Sequence, residues 1–155
     1  MKNIFFYLIL SQLAILLACS GDNIDLPDEI LAGKINGVDW EFRTGSVSFT
    51  GGNGNQYLLF STLESTDQGC SLVSSTNPYL SIKLPTGSGN YSIPIPPNQG
   101  DNVKFIHGDG TILSATSGFV EIVGVNQGTN ELVGYLQALF DDNNTVQGTF
   151  RLEVC

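Results

Sequence analysis

Apolar and polar residues alternate in short runs along most of the chain, and glycine, asparagine, aspartate and proline part the runs. Period-two alternation puts every second side chain on one face, the signature of a strand half buried in a sheet. From residue 19 onward no stretch sustains the three-and-four spacing of an amphipathic helix. The run ILAGKINGVDWEFR sets Asn36-Gly37 between two arms, the strongest short signal for a β-hairpin. On its second arm Val38, Trp40 and Phe42 face one way, and Asp39, Glu41 and Arg43 the other. SVSFT and QYLLFSTLES follow across the glycine-rich GGNGN, and YLSIKLP places Leu80, Ile82 and Leu84 on one face. GNYSIPIPP also alternates, but its prolines confine it to an edge or a bend.

The last third is the most regular. SGFVEIVGV leads into ELVGYLQALF, then the turn-rich DDNN, then TVQGTFRLEV, where Val146, Gly148, Phe150, Leu152 and Val154 share a face. Two hairpins in a meander account for this pattern. Gly118, Gly134 and Gly148 fall inside the strands and suggest bends or bulges in a strongly curved sheet. The expectation is an all-β fold: one antiparallel β-sandwich or β-barrel-like domain of about 8–10 strands. Periodicity alone does not choose between sandwich and barrel.

The N-terminus follows a different pattern. After Met1-Lys2-Asn3 comes IFFYLILSQLAILLA, residues 4–18, interrupted only by Ser11 and Gln12. This run is shorter than the ~20 apolar residues a membrane-spanning helix needs. A basic start, a short apolar stretch and small residues at its end describe a cleaved secretory signal. Leu16-Leu17-Ala18-Cys19 resembles the lipobox of bacterial lipoproteins. That likeness implies cleavage between Ala18 and Cys19 and lipidation of the Cys19 sulfur. The organisation expected is therefore a signal peptide over 1–18, a lipidated cysteine and acidic tether over 19–28, and an all-β domain over 29–155. The tether SGDNIDLPDE resembles the acidic surface-export signal of Bacteroidota lipoproteins, and the outer membrane is the expected location, in its periplasmic or its surface-exposed leaflet.

Removal of residues 1–18 takes Lys2 away, leaving 5 cations against 15 acids, a net charge of −10. Such a chain is a poor partner for nucleic acid, which calls for Lys and Arg against phosphate. Anionic lipid would also repel it, so the lipid anchor, not a basic face, must hold it to the membrane. With Cys19 lipidated, Cys70 and Cys155 remain, and an oxidising compartment favours a disulfide between them. The alternative is two unpaired thiols, one buried and one at a loose chain end.

Several of these stretches together carry a wider likeness. GKINGVDW near the start, IKLPTGSGNYSI in the middle, and the closing SGFVEI, LVGYLQALF and VQGTFRLEV resemble a family of small all-β Bacteroidota lipoproteins of unknown function. Its members show an NG-x-x-W opening and SGT-like and GTF-like terminal strands. The resemblance covers nearly the whole mature chain and implies an all-β fold and export. It transfers no catalytic residue. The chain departs from that pattern at Tyr135, where a threonine is common, and in its Cys70 and Cys155.

Chemistry-bearing motifs are few. His107, the one histidine, stands in KFIHGDGT two residues before Asp109, an acid–base spacing without a G-x-S-x-G nucleophile elbow. The plainer expectation is a turn after a strand, with His107 at the surface. One histidine and two distant cysteines make no zinc ligand set, and DDNNTVQG lacks the EF-hand glycine and glutamate. No metal, cofactor or catalytic group is expected. Tyr57, Tyr79, Tyr91 and Tyr135 are candidates for a ligand-stacking surface, whereas Trp40 alternates with apolar neighbours as a core residue does. The reading is a non-catalytic binding or accessory module for a glycan, a small apolar ligand or an envelope protein. Its rivals are a small hydrolase using His107 and a carboxylate, and a structural partner of an outer-membrane complex.

Overall fold

The computed structural model describes residues 26–50, 55–61, 78–95 and 102–155. The signal peptide, Ala18, Cys19 and Cys70 lie outside the described residues, as does the side chain of Tyr57. Eleven strands form among the described residues, without a helix: β1 (Ala32–Ile35), β2 (Val38–Glu41), β3 (Thr44–Thr50), β4 (Asn55–Ser61), β5 (Tyr79–Pro85), β6 (Gly89–Ile93), β7 (Val103–Ile106), β8 (Ile112–Ser114), β9 (Ser117–Asn126), β10 (Glu131–Asp141) and β11 (Asn144–Val154). The count exceeds the eight to ten expected because two short strands, β7 and the three-residue β8, bracket the turn HGDGT.

The strands join in the order β6-β9-β10-β11-β3-β4-β5-β7-β8, with β1 on β11 and β2 on β1. Every ladder is antiparallel except a short parallel seam between β11 and β3, Glu153 opposite Ser46 and Val154 opposite Val47. β6 and β8 end the path without pairing to each other, so the sheet is open and folds over as a sandwich-like domain. One apolar cluster fills the fold, with Val47, Leu58, Leu80, Ile82 and Phe105 from one half and Ile122, Leu136, Phe150 and Leu152 from the other. The T-shaped contact between Trp40 on β2 and Phe105 on β7, 6.4 Å between ring centres, shows the two halves face to face.

Local turn chemistry sets the hairpins. Asn36 and Gly37 both have positive φ, 53° and 73°, the backbone a two-residue turn between Ile35 and Val38 requires. Leu80, Ile82 and Leu84 all point inward, as their alternation requires. β6, the proline-punctuated strand, is an edge strand as its composition predicts. Gly134 sits where the β9–β10 register shifts, a bulge of the kind expected there. A side-chain carbon on it would lie 2.5 Å from the ring of Phe150.

Two turns at one end of the fold are tied together. Asn144, nearly buried at the start of β11, accepts a hydrogen bond from the Gly37 N–H at 3.2 Å through Oδ1. Its Nδ2 donates to both oxygens of Asp141 at 2.7 Å, and the Asn143 N–H donates to Asp141 Oδ1 at 2.9 Å. The Asn143 N–H first, and the Asn144 side chain second, hold the Asp141 carboxyl below its ordinary value of 3.8. A depressed folded-state pKa stabilises the fold fully above the unfolded value and loses that contribution as pH falls through the folded one. The Asn143 amide signal is therefore expected to report an Asp141 midpoint below 3.8, and its protection factor against hydrogen exchange to fall in acid. Proton NMR across pH 2–6 checks it; a midpoint at or above the ordinary aspartate value of about 3.9 would show the turn is not held by that carboxylate.

Candidate functional site

β2 and β7 bring three rings into a row from the core outward. Trp40 and Phe105 are 5% and 3% exposed. The half-buried His107 ring stands edge-on to Phe105, 4.8 Å between centres and 77° between planes. Backbone bonds fix this order: the His107 N–H donates to the Thr111 carbonyl at 2.8 Å, and the Gly110 N–H to the His107 carbonyl at 2.9 Å. The turn after a strand is as expected. His107 is half-buried rather than fully exposed: its ring packs on Phe105 and lines a cavity together with Asn36, Val38 and Asp39 of the first hairpin.

Between that hairpin and β7 lies a half-open cavity of about 310 Å³. Its apolar wall is Ile35, Val38, Trp40, Pro78 and Phe105, and Asn36, Asp39 and His107 supply the polar groups. Val38 shares the face of Trp40, as alternation requires, yet is 68% exposed. It sits at the hairpin tip, beyond the reach of the opposite layer. The indole Nε1–H of Trp40 is buried and has no acceptor among the described residues. An unpaired buried donor of this kind costs about 1–3 kcal/mol.

The acid–base pair suggested by His107 and Asp109 is not assembled. The exposed Asp109 carboxylate accepts the Thr111 N–H at 2.9 Å, and that bond, more than the charge of His107, lowers its pKa. Among the described residues no serine or cysteine lines the cavity. Asp39 projects into solvent near Lys34, 3.8 Å from its Nζ.

A larger cleft, about 420 Å³, lies where the chain enters the domain, between Leu26–Ile30, Phe42–Arg43 and Thr149–Arg151. Arg43 Nη2 is 3.0 Å from Glu41 Oε1, and Asp28, Glu29 and Arg151 also line the wall.

No protein-family model, curated protein or solved structure matches the chain.

The candidate tyrosines whose side chains are described, Tyr79, Tyr91 and Tyr135, are not brought to one surface. Tyr91 on β6 lies opposite the buried Val120 and packs against the core, its hydroxyl donating to the Gly87 carbonyl at 3.3 Å. Tyr135 on β10 lies opposite Glu121, on the outer face, stacked on Phe119 at 5.7 Å and 22°. Tyr79 is half-buried on β5, on the face opposite Leu80, Ile82 and Leu84. Trp40 is a core residue, as its alternation suggests, and it also borders the cavity. Sequence reasoning missed the cavity itself. Its walls come from strands about 65 residues apart, and no local pattern joins Val38 to Phe105.

Proposed function

We propose that this chain is a cell-envelope lipoprotein, held at the outer membrane by a lipid on Cys19, whose all-β domain is a non-catalytic binding module. The likeness to small Bacteroidota lipoproteins supports export, and the lipobox residues support the anchor. The observation that carries binding is the half-open, aromatic-walled cavity between the first hairpin and β7. Of the partner classes considered, a small ligand fits this cavity best. Binding is favoured over hydrolysis because the Asp109 carboxylate is engaged by its own turn and does not hydrogen-bond His107.

We also propose the Cys70–Cys155 disulfide. Cys155 follows β11 directly, and its N–H donates to the Val47 carbonyl at 2.9 Å. A bridge there would secure the two-residue seam that joins the halves of the sheet. It would close a loop of 85 residues, stabilising the fold by roughly 4–5 kcal/mol in the chain-entropy model.

Native mass spectrometry on residues 20–155, exported without lipid and purified gently, tests both readings. A reproducible adduct that leaves on denaturation, and a denatured mass two hydrogens short of the reduced chain, are the expected results. Empty protein from repeated gentle preparations would count against a resident small ligand. A full thiol mass would rule out the bridge.

A further inference from the structure

We infer that the outer face of β6, β9, β10 and β11 is a second binding surface, and that it takes a flat, uncharged oligosaccharide. This goes beyond the cavity on the first hairpin and β7, and the two sites stand or fall separately. Register places the central residues. On β9 and β10, Phe119 lies opposite Gln137 and Glu121 opposite Tyr135, so the aromatic residues hold one diagonal of a square and the polar ones the other. All four alternate with the buried Val120 and Leu136 and so belong to the outer side of the sheet. Outward positions of a strand ordinarily carry polar side chains, so two adjacent rings there are the exception. Both are half-buried, 5.7 Å apart between centres and only 22° from parallel. A pair so close to parallel offers flat contact to the C–H face of a sugar ring, which crossed rings would not.

Cross-strand packing accounts for the aromatic pair itself. It does not account for the groups around it. The two rows continue through Asn90 on β6, opposite Glu121, and Gln147 on β11, opposite Gln137. Among the described residues, the side chains of Asn90, Glu121, Gln137 and Gln147 make no hydrogen bond or ion pair. Carboxylates and side-chain amides are the planar groups that meet neighbouring hydroxyls with two bonds at once. The strip crosses four strands, about 14 Å at roughly 4.8 Å per spacing, the length of a short oligosaccharide rather than of one sugar.

Charge and position narrow the occupant further. Glu121 is the one charged residue in these two rows, and the mature chain stands at −10, so a sulfated or uronic-acid chain would approach against the field. The segment that leads back to Cys19 joins this same face. Thr149, opposite Tyr135, donates its hydroxyl to the Pro27 carbonyl at 2.6 Å and its N–H to the Glu29 carbonyl at 2.7 Å. Residues 19–26 span at most about 25 Å. A lipid on Cys19 therefore keeps the rim of the strip within that distance of the bilayer, among the glycans that cover it. That placement rests on the proposed anchor; the ligand class does not.

Amide ¹H–¹⁵N spectra of the mature chain report which face a probe touches, and the single tryptophan marks the cavity. The probes are cellotetraose, a flat chain of β-linked glucose; maltotetraose, the same sugar in a curved α-linked chain; and tetragalacturonate, which is acidic. Cellotetraose is expected to shift the amides of Phe119, Glu121, Tyr135 and Gln137 saturably and to leave the Trp40 indole signal in place. Maltotetraose and tetragalacturonate should bind more weakly or not at all. Tyr135→Ala should weaken cellotetraose binding about three- to tenfold, the range one aromatic contact supplies, while Tyr135→Phe should bind as the parent does. Gln137→Ala, at an exposed position, should weaken it by a similar factor and keeps the test decisive if Tyr135→Ala folds poorly. Amides on this face that ignore cellotetraose at its solubility limit overturn the inference. So do shifts confined to the Trp40 end, equal binding of either control sugar, or a folded Tyr135→Ala or Gln137→Ala variant that binds as before.

Discussion

Replacing Phe150 with alanine is expected to destabilise the domain by about 3–5 kcal/mol, a large share of the margin a domain of this size has. Phe150 is the bulkiest of the fully buried side chains, 1% exposed, at the middle of β11. β11 contacts β10 on one side and both β1 and β3 on the other, so a void there touches three ladders. The ring also has a partner in the backbone. Gly134 lies directly opposite Phe150 across β10 and β11, and the space where its side chain would stand holds the ring, 2.5 Å from an added carbon. Large and small residues thus interlock across the two strands, and shortening the large one leaves a cavity that the neighbouring backbone cannot collapse to fill. Urea denaturation followed by circular dichroism should show a lower midpoint with an unchanged slope. A loss below about 1 kcal/mol would mean that Phe150 is packed loosely and the seam of the fold lies elsewhere.

The same pair shows what could be read from the residues in advance. Alternation along 146–154 puts Phe150 inward, and the glycine inside the preceding strand marks a bend. Both readings are local, and both hold. The hairpin at Asn36-Gly37 and the turn after Asp141 are likewise dictated within a few residues, by backbone conformation and by side chains that bond their own turn. What alternation does not carry is which strand lies beside which. The parallel seam of β11 on β3 and the pairing of β6 with β9 join segments far apart in the chain, with no turn between them to fix a register. The position of each aromatic ring inherits that gap. Tyr91 and Tyr135 occupy strands that both pair with β9, but opposite faces of the sheet. His107 looks like a turn residue in its own segment and becomes part of a wall only when the first hairpin folds across to it.

Cys19→Ala, made behind an ordinary secretory cleavage site so that residues 1–18 are still removed, is expected to abolish attachment to the membrane altogether, with the domain folded and recovered in the soluble fraction. The apolar run 4–18 is too short to hold the protein once it is cut, and in the proposed processing it is removed. What remains carries a charge of −10 and presents no basic face to an anionic surface, so no second electrostatic attachment stands behind the lipid. Buried acyl CH₂ groups, each worth about 0.8 kcal/mol, are then the whole source of membrane affinity. Removing the one sulfur that bears them removes it all, an effect larger than any single core substitution. Because Cys19 precedes the first described residues of the sheet and the proposed disulfide uses the other two cysteines, the variant should melt at the temperature of the unlipidated parent. Fractionation of cells grown with labelled palmitate checks the attachment, and thermal melting of the purified variant checks the fold. Label and membrane fraction should vanish in step. A variant that loses the label but stays with the membrane would place the attachment in the β domain or in a bound partner, and the lipoprotein reading would then fail.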